Sequence, residues 1–145
     1  MTAYRIDINS VIQMTDNQFY RLCRANPELK FERHPRGDLI ITSPTGGETG
    51  NYTAEVAADT VFWNREAKQG KVFDSSTGFK LPNGANRSPD VALIRSDRWD
   101  ALTPDQQQAF PPICPDFVIE LRSPSDDLPS LQEKMREYIE NGTQL

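Results

Sequence analysis

Ser88-Pro89-Asp90-Val91-Ala92-Leu93-Ile94 and Pro115-Asp116-Phe117-Val118-Ile119-Glu120-Leu121-Arg122-Ser123-Pro124-Ser125 decide how this chain is read, together with the helical segment that follows them and carries Lys134. Each is a short apolar run bounded by proline, which is the signature of a buried strand. Each also carries one carboxylate, Asp90 or Glu120. Set side by side, two such strands present both carboxylates at one place, the outline of a metal site. Glu120 lies within its run, where a charge costs several kcal/mol unless it is paired, protonated or bound to a cation. By strand alternation Val118, Glu120 and Arg122 share one face and Phe117, Ile119 and Leu121 the other. Two readings of Glu120 follow: an ion pair with Arg122 or another base, or one of the perturbed carboxylates that gather at functional sites.

Beyond Glu120, Ser125-Asp126-Asp127 offers N-cap groups, Pro129 fits a first helical turn and Asn141-Gly142 fits a helix end. Leu128, Leu131, Met135, Tyr138 and Ile139 form the apolar stripe of that helix. At about 100° per residue Lys134 falls beside Leu131 and Tyr138, at the border of the stripe. Its ammonium either reaches back to the carboxylates or snorkels into solvent.

Upstream, Thr15-Asp16-Asn17 caps a short helix with Phe19, Leu22 and Cys23 on one side, and Asn26-Pro27 stops it. Phe31-Glu32-Arg33-His34 and Leu39-Ile40-Ile41-Thr42 read as a hairpin turned at Gly37. A longer helix spans roughly residues 48–68, with Tyr52, Val56, Val61 and either Ala57 or Trp63 toward the core. Ser43-Pro44-Thr45-Gly46-Gly47 before it lacks the ending of a phosphate-binding P-loop and is read as a connection. Residues 71–74 and 78–81 are short strands. Residues 95–115 form a loop with one helical turn after Thr103; Trp99 could stack on a base, but anchoring the loop onto the core is the favoured reading. The expected class is α/β in the α+β sense, a mixed central β-sheet flanked by helices.

The chain has 145 residues, enough for the single domain expected over residues 1–145. Its formal net charge of -5 provides no general attraction for nucleic acid, so any basic surface must be local. His34 is the only histidine, which excludes a two-histidine metal site and leaves His34 itself as a hairpin-end surface residue. The two cysteines, Cys23 and Cys114, cannot form a zinc site without clustered histidines. No stretch has the length and apolarity of a membrane span or a secretory leader, so a cytoplasmic protein without a membrane partner is expected.

Ser88-Pro89-Asp90-Val91-Ala92, Pro115-Asp116-Phe117-Val118-Ile119-Glu120-Leu121, Ser123-Pro124-Ser125-Asp126 and the segment from Lys134 to Tyr138 together resemble the Uma-two family of endonucleases. That family lies within the restriction-endonuclease-like PD-(D/E)XK superfamily. Gly37-Asp38-Leu39-Ile40-Ile41 and Ser43-Pro44-Thr45-Gly46 extend the resemblance over most of the chain. It implies a restriction-endonuclease-like fold and hydrolysis of DNA phosphodiester bonds at a magnesium or manganese ion. Asp90 and Glu120 would hold the ion and Lys134 would assist the nucleophile. Asn51 stands where the family often carries a polar residue facing the site, and Glu48 and Glu55 are candidates for an added glutamate from the same helix. The superfamily motif places a lysine two residues after the glutamate. Here that position is Arg122, which binds phosphate but cannot act as a base. In the family a further strand and more sheet follow, so the chain is expected to lack its C-terminal edge strands. An open edge of that kind favours aggregation or a homodimer.

Two other functions compete with the nuclease. One is a catalytically inactive module that keeps the nuclease fold for binding or regulation. The other is a carboxylate-pair glycosidase, which needs no metal but lacks an aromatic platform here.

Overall fold

A computed structural model describes residues 3–145. Its first half runs β1 (Ala3–Ile6), α1 (Asp16–Ala25), β2 (Lys30–Arg33), β3 (Leu39–Thr42) and α2 (Gly47–Ala67). Then come β4 (Gly70–Phe73), β5 (Phe79–Lys80), β6 (Asn86–Arg87), β7 (Val91–Arg95), α3 (Ser96–Asp100), α4 (Pro104–Gln108), β8 (Phe117–Ile119) and α5 (Leu128–Glu140). The strands form two antiparallel sheets flanked by helices, one ordered β1-β3-β2-β6-β5 and the other β4-β7-β8. The α+β class is as expected, with the strands divided between two sheets.

The first sheet grows from the β2–β3 hairpin. Gly37 takes a φ of 104°, the left-handed backbone that glycine adopts without a Cβ clash, and closes the turn. Phe31 then stands opposite Ile41, and Glu32 opposite Ile40. Alternation sorts this sheet into two faces. Phe31 and Leu39 pack with Phe19 of α1, joined by half-buried Leu22, Cys23 and Ile41. The opposite face carries the row Arg5, Ile40 and Glu32 across three strands. α1 forms where it does because Thr15 and Gln18 make a reciprocal capping box. Arg33 then ties helix to sheet, donating to Asn86 and to the Met14 carbonyl while lying 4.9 Å from the Phe19 ring centroid.

In the second sheet Ala92 pairs with Val118 and Phe73 with Ala92. Ala92, Ile94 and Val118 join Phe79, Leu81, Cys114 and Tyr138 in the larger core. Gly70 lets β4 approach β7 closely, since a Cβ there would lie 2.0 Å from the Ile94 carbonyl oxygen. Asp116 fastens the strand ends by accepting from the Arg95 amide and the Arg98 guanidinium. Trp99 is half-buried against Phe73, with ring centroids 5.1 Å apart, and so anchors its loop as expected. Beside β8, Leu145 donates to the Asp116 carbonyl and accepts from the Val118 amide, a parallel bridge.

Three local expectations change. α3 lies in the stretch read as a loop, and β1 and β6 lie where the sequence assigns no element, because two- to five-residue elements carry too few residues to establish a period. α2 has no buried residue. It meets β4 and β7, and its half-buried side is Thr53, Val56, Ala57, Thr60, Asn64 and Ala67. Tyr52, Val61 and Trp63 are therefore exposed rather than in the core. On α5, Tyr138 is buried and Leu131 and Met135 are half-buried, whereas Leu128 and Ile139 are exposed at the edges of the stripe.

Candidate active site

Register brings the two motif carboxylates together. Val91 pairs with Ile119 in the antiparallel β7–β8 ladder, so continuing by one residue places Asp90 opposite Glu120. The backbone closes around them, with the Leu121 amide donating to Asp90 Oδ2 at 2.7 Å. α5 crosses the same end of the sheet. Lys134 Nζ lies 2.7 Å from Glu120 Oε1, and Tyr138 Oη, one helical turn later, donates to the same oxygen at 3.0 Å. The ammonium therefore reaches back to the carboxylates instead of snorkelling.

The site also holds Glu32, on the cleft-facing side of the first sheet. Its Oε1 accepts from Lys134 Nζ at 2.9 Å and from the Ser88 amide at 2.9 Å, and its Oε2 lies 3.4 Å from Arg87 Nη1. Arg87 also pairs with Glu137 of α5. Lys134 thus bridges a glutamate from each sheet. Sequence reasoning missed Glu32, although the signal was of the same kind as for Glu120: a carboxylate within a strand, next to buried Phe31.

Glu32 and Glu120 share one cation yet differ in acidity. Burial alone would raise Glu32, but Lys134 and Arg87 outweigh it and bring its pKa down to about 2. Burial raises Glu120, and Lys134 offsets this only in part because the charges of Glu32 and Asp90 oppose ionisation. The Lys134 pKa is raised despite burial because two carboxylates hold its proton. Burial and the adjacent Glu120 charge raise Tyr138 well above the usual phenol value, so its hydroxyl stays a donor.

These residues line a cleft of about 690 Å³ between α5 and the β1–β3–β2 part of the first sheet. Asp90, Glu120 and Lys134 are brought together there. Arg122 and α2 residues Asn51 and Glu55 do not line the cleft and are exposed, as is Glu48. α2 turns its small side chains toward β4 and β7, which directs Asn51 and Glu55 away from the site.

The donor set suits a hard divalent cation that keeps most of its water. Among the described residues, no group of three or more His, Cys, Asp or Glu side chains is arranged as a metal cage. Asp90 and Glu120 nevertheless each have one oxygen, Oδ1 and Oε2, that no protein donor among the described residues reaches. Two carboxylates with free lone pairs are sufficient for magnesium, which retains several waters and rarely takes an all-protein cage.

Among the described residues no helix is long and apolar enough to cross a membrane. No curated protein matches the chain at a significant level. A family model, Uma2, described as "Putative restriction endonuclease", matches residues 16–145. That span contains both carboxylate strands, the Glu32 hairpin and the Lys134 helix, and on this match the chain belongs to the Uma2 family of restriction-endonuclease-like proteins.

Proposed function

We propose that this chain hydrolyses phosphodiester bonds of DNA with magnesium or manganese held by Asp90 and Glu120. The observation that carries the reading is the opposition of these carboxylates at one ladder end, with the Lys134 ammonium 2.7 Å from Glu120. Family membership supports nuclease chemistry in general. A bound ion supplies polarisation of the phosphoryl oxygen and a water of lowered pKa. Asp90 is oriented for its part by the Leu121 amide, and Glu120 by Lys134 and Tyr138. Lys134 keeps its proton between two carboxylates, so its role is to donate hydrogen bonds and stabilise negative charge developing on phosphate, not to act as a base.

One specific observation favours a second reading, the inactive binding or regulatory module. The ammonium is ion-paired to both Glu32 and Glu120, an arrangement that also suffices to stabilise an apo fold. Calorimetric titration of magnesium and manganese into the chain and into an Asp90→Asn, Glu120→Gln double variant separates the two. The nuclease reading expects binding that the double variant loses, together with metal-dependent nicking of a plasmid or cutting of a single strand. Metal binding without cleavage of either substrate leaves the inactive module, and absence of binding to the folded chain removes the metal site.

A further inference from the structure

The cleft contains more cations than the carboxylate centre uses, and nearly all of them are already paired. Arg5 is held by Asp38, Arg87 by Glu137 and Glu32, and Lys134 by Glu32 and Glu120. Asn83 donates to Glu137. The α5 side adds further negative charge through Asp127, Glu133 and Glu140. A polyanion entering here meets paired cations that can serve it only by giving up their carboxylates, which is costly for the buried ones.

Two groups that line the cleft from opposite sides are different. Arg136, two residues past Lys134 on α5, makes no ion pair among the described residues. His34 stands two residues past Glu32 on the hairpin, and its Nδ1 accepts the Arg36 amide at 3.2 Å. That acceptor role places the ring proton of the neutral imidazole on Nε2, which is left as a donor. Burial and the charges of Arg5 and Arg87 hold the His34 pKa below its ordinary value against the opposing pull of Glu137 and Asp38, so the ring is neutral at pH 7.5.

We infer that His34 and Arg136 are the two substrate-holding residues of the cleft, gripping the phosphates that flank the bond presented to Asp90 and Glu120. His34 acts through an uncharged hydrogen bond and Arg136 through its charge. The inference rests on the nuclease reading above and adds the residues that position a nucleic-acid strand.

The two modes of grip give different salt signatures, which a purely structural role does not. Affinity of the full chain for a labelled 20-base single strand and its duplex is measured by fluorescence anisotropy in calcium at pH 7.5, across salt concentrations. Arg136→Ala should lower the steepness of log affinity against log salt by about 0.7 for the single strand and about 0.9 for the duplex. His34→Ala should weaken binding roughly five- to tenfold at every salt concentration with the slope unchanged, and His34→Gln should restore most of the loss. Unchanged affinity in both alanine variants, or a slope change for His34→Ala equal to that for Arg136→Ala, overturns the inference. If the parent cuts the same oligonucleotides in magnesium while both variants keep its KM and slope, this inference falls and the nuclease reading stands. If the parent binds without cutting, hydrolysis falls and the slopes judge the grip by the same criteria. A parent that neither binds nor cuts overturns both.

Discussion

α2 and α5 are the two long helices of this protein, and they are held in opposite ways. α2 has 21 residues and none is buried; Tyr52, Phe62 and Trp63 are 56%, 67% and 52% exposed. α5 has 13 residues, and it places Tyr138 at 0% exposure in the main core and Lys134 between Glu32 and Glu120. Neither length nor the number of apolar residues decides which helix is integral. What decides is whether the inward face carries side chains large enough to fill a core and polar groups with buried partners. The inward side of α2 is mostly small, and its polar attachment is Asn64, which bonds Gly70 in both directions and accepts from the Gln69 amide.

The contrast breaks first at Lys134. Lys134→Met should cost about 3–5 kcal/mol in urea unfolding, because it leaves two buried glutamates without their shared cation. If the nuclease proposal holds, the same variant should lower kcat by roughly 10²–10³-fold through loss of charge stabilisation. A Lys134→Met chain as stable as its parent would show that the ammonium bridge between the two glutamates does not hold α5 in place.

Acid should loosen the α5 side through Glu32. Its folded pKa of about 2 lies below the ordinary 4.5. Its contribution is therefore complete above the ordinary value and is lost as pH falls from about 4.5 toward 2. Glu120 has the opposite sign: its pKa is raised, so its contribution weakens as pH climbs through and above the ordinary carboxyl range. Unfolding midpoints measured against pH should show a shallower acid limb in Glu32→Gln and an undiminished one in Glu120→Gln.

Smaller changes sharpen the comparison. Asn64→Ala should cost about 1–3 kcal/mol, since it leaves backbone groups at the α2–β4 junction without partners. Tyr138→Phe should cost about 1–2 kcal/mol, because it removes only the hydrogen bond to Glu120 and keeps the buried ring. Phe62→Ser and Trp63→Ser should stay within about 0.5 kcal/mol in thermal or urea unfolding. A larger loss from either serine variant would mean that the outer side of α2 is packed in solution.

Local periodicity made much of the site legible. Proline-bounded apolar runs identified the β7 and β8 strands, and the apolar stripe of α5 placed Lys134 at its border, near enough to reach Glu120. Glu32 escaped because its partner is 102 positions away in sequence, and its place beside Lys134 depends on two sheets meeting. The positions suggested on α2 by family resemblance, Asn51 and Glu55, failed to reach the cleft for a related reason. A helix pattern states which residues share a side, and packing alone states which side faces inward. The exposed aromatics of α2 show how the apolar pattern misleads when small residues make the closer contact.

The sequence by itself determined the strand and helix segments of the main motifs, the pairing of one carboxylate with each strand, and the helix position of Lys134. These are set by repeats of two and 3.6 residues within single segments, where covalent geometry fixes direction. Only the tertiary structure decided that the strands split into two sheets, that Glu32 joins Glu120 on one ammonium, and that the two glutamates then shift in opposite directions. Those outcomes depend on distances between segments far apart in the chain and on the burial they create together: Glu32 gains a second cation in Arg87, while Glu120 faces the charges of Glu32 and Asp90, and the two shifts take opposite signs.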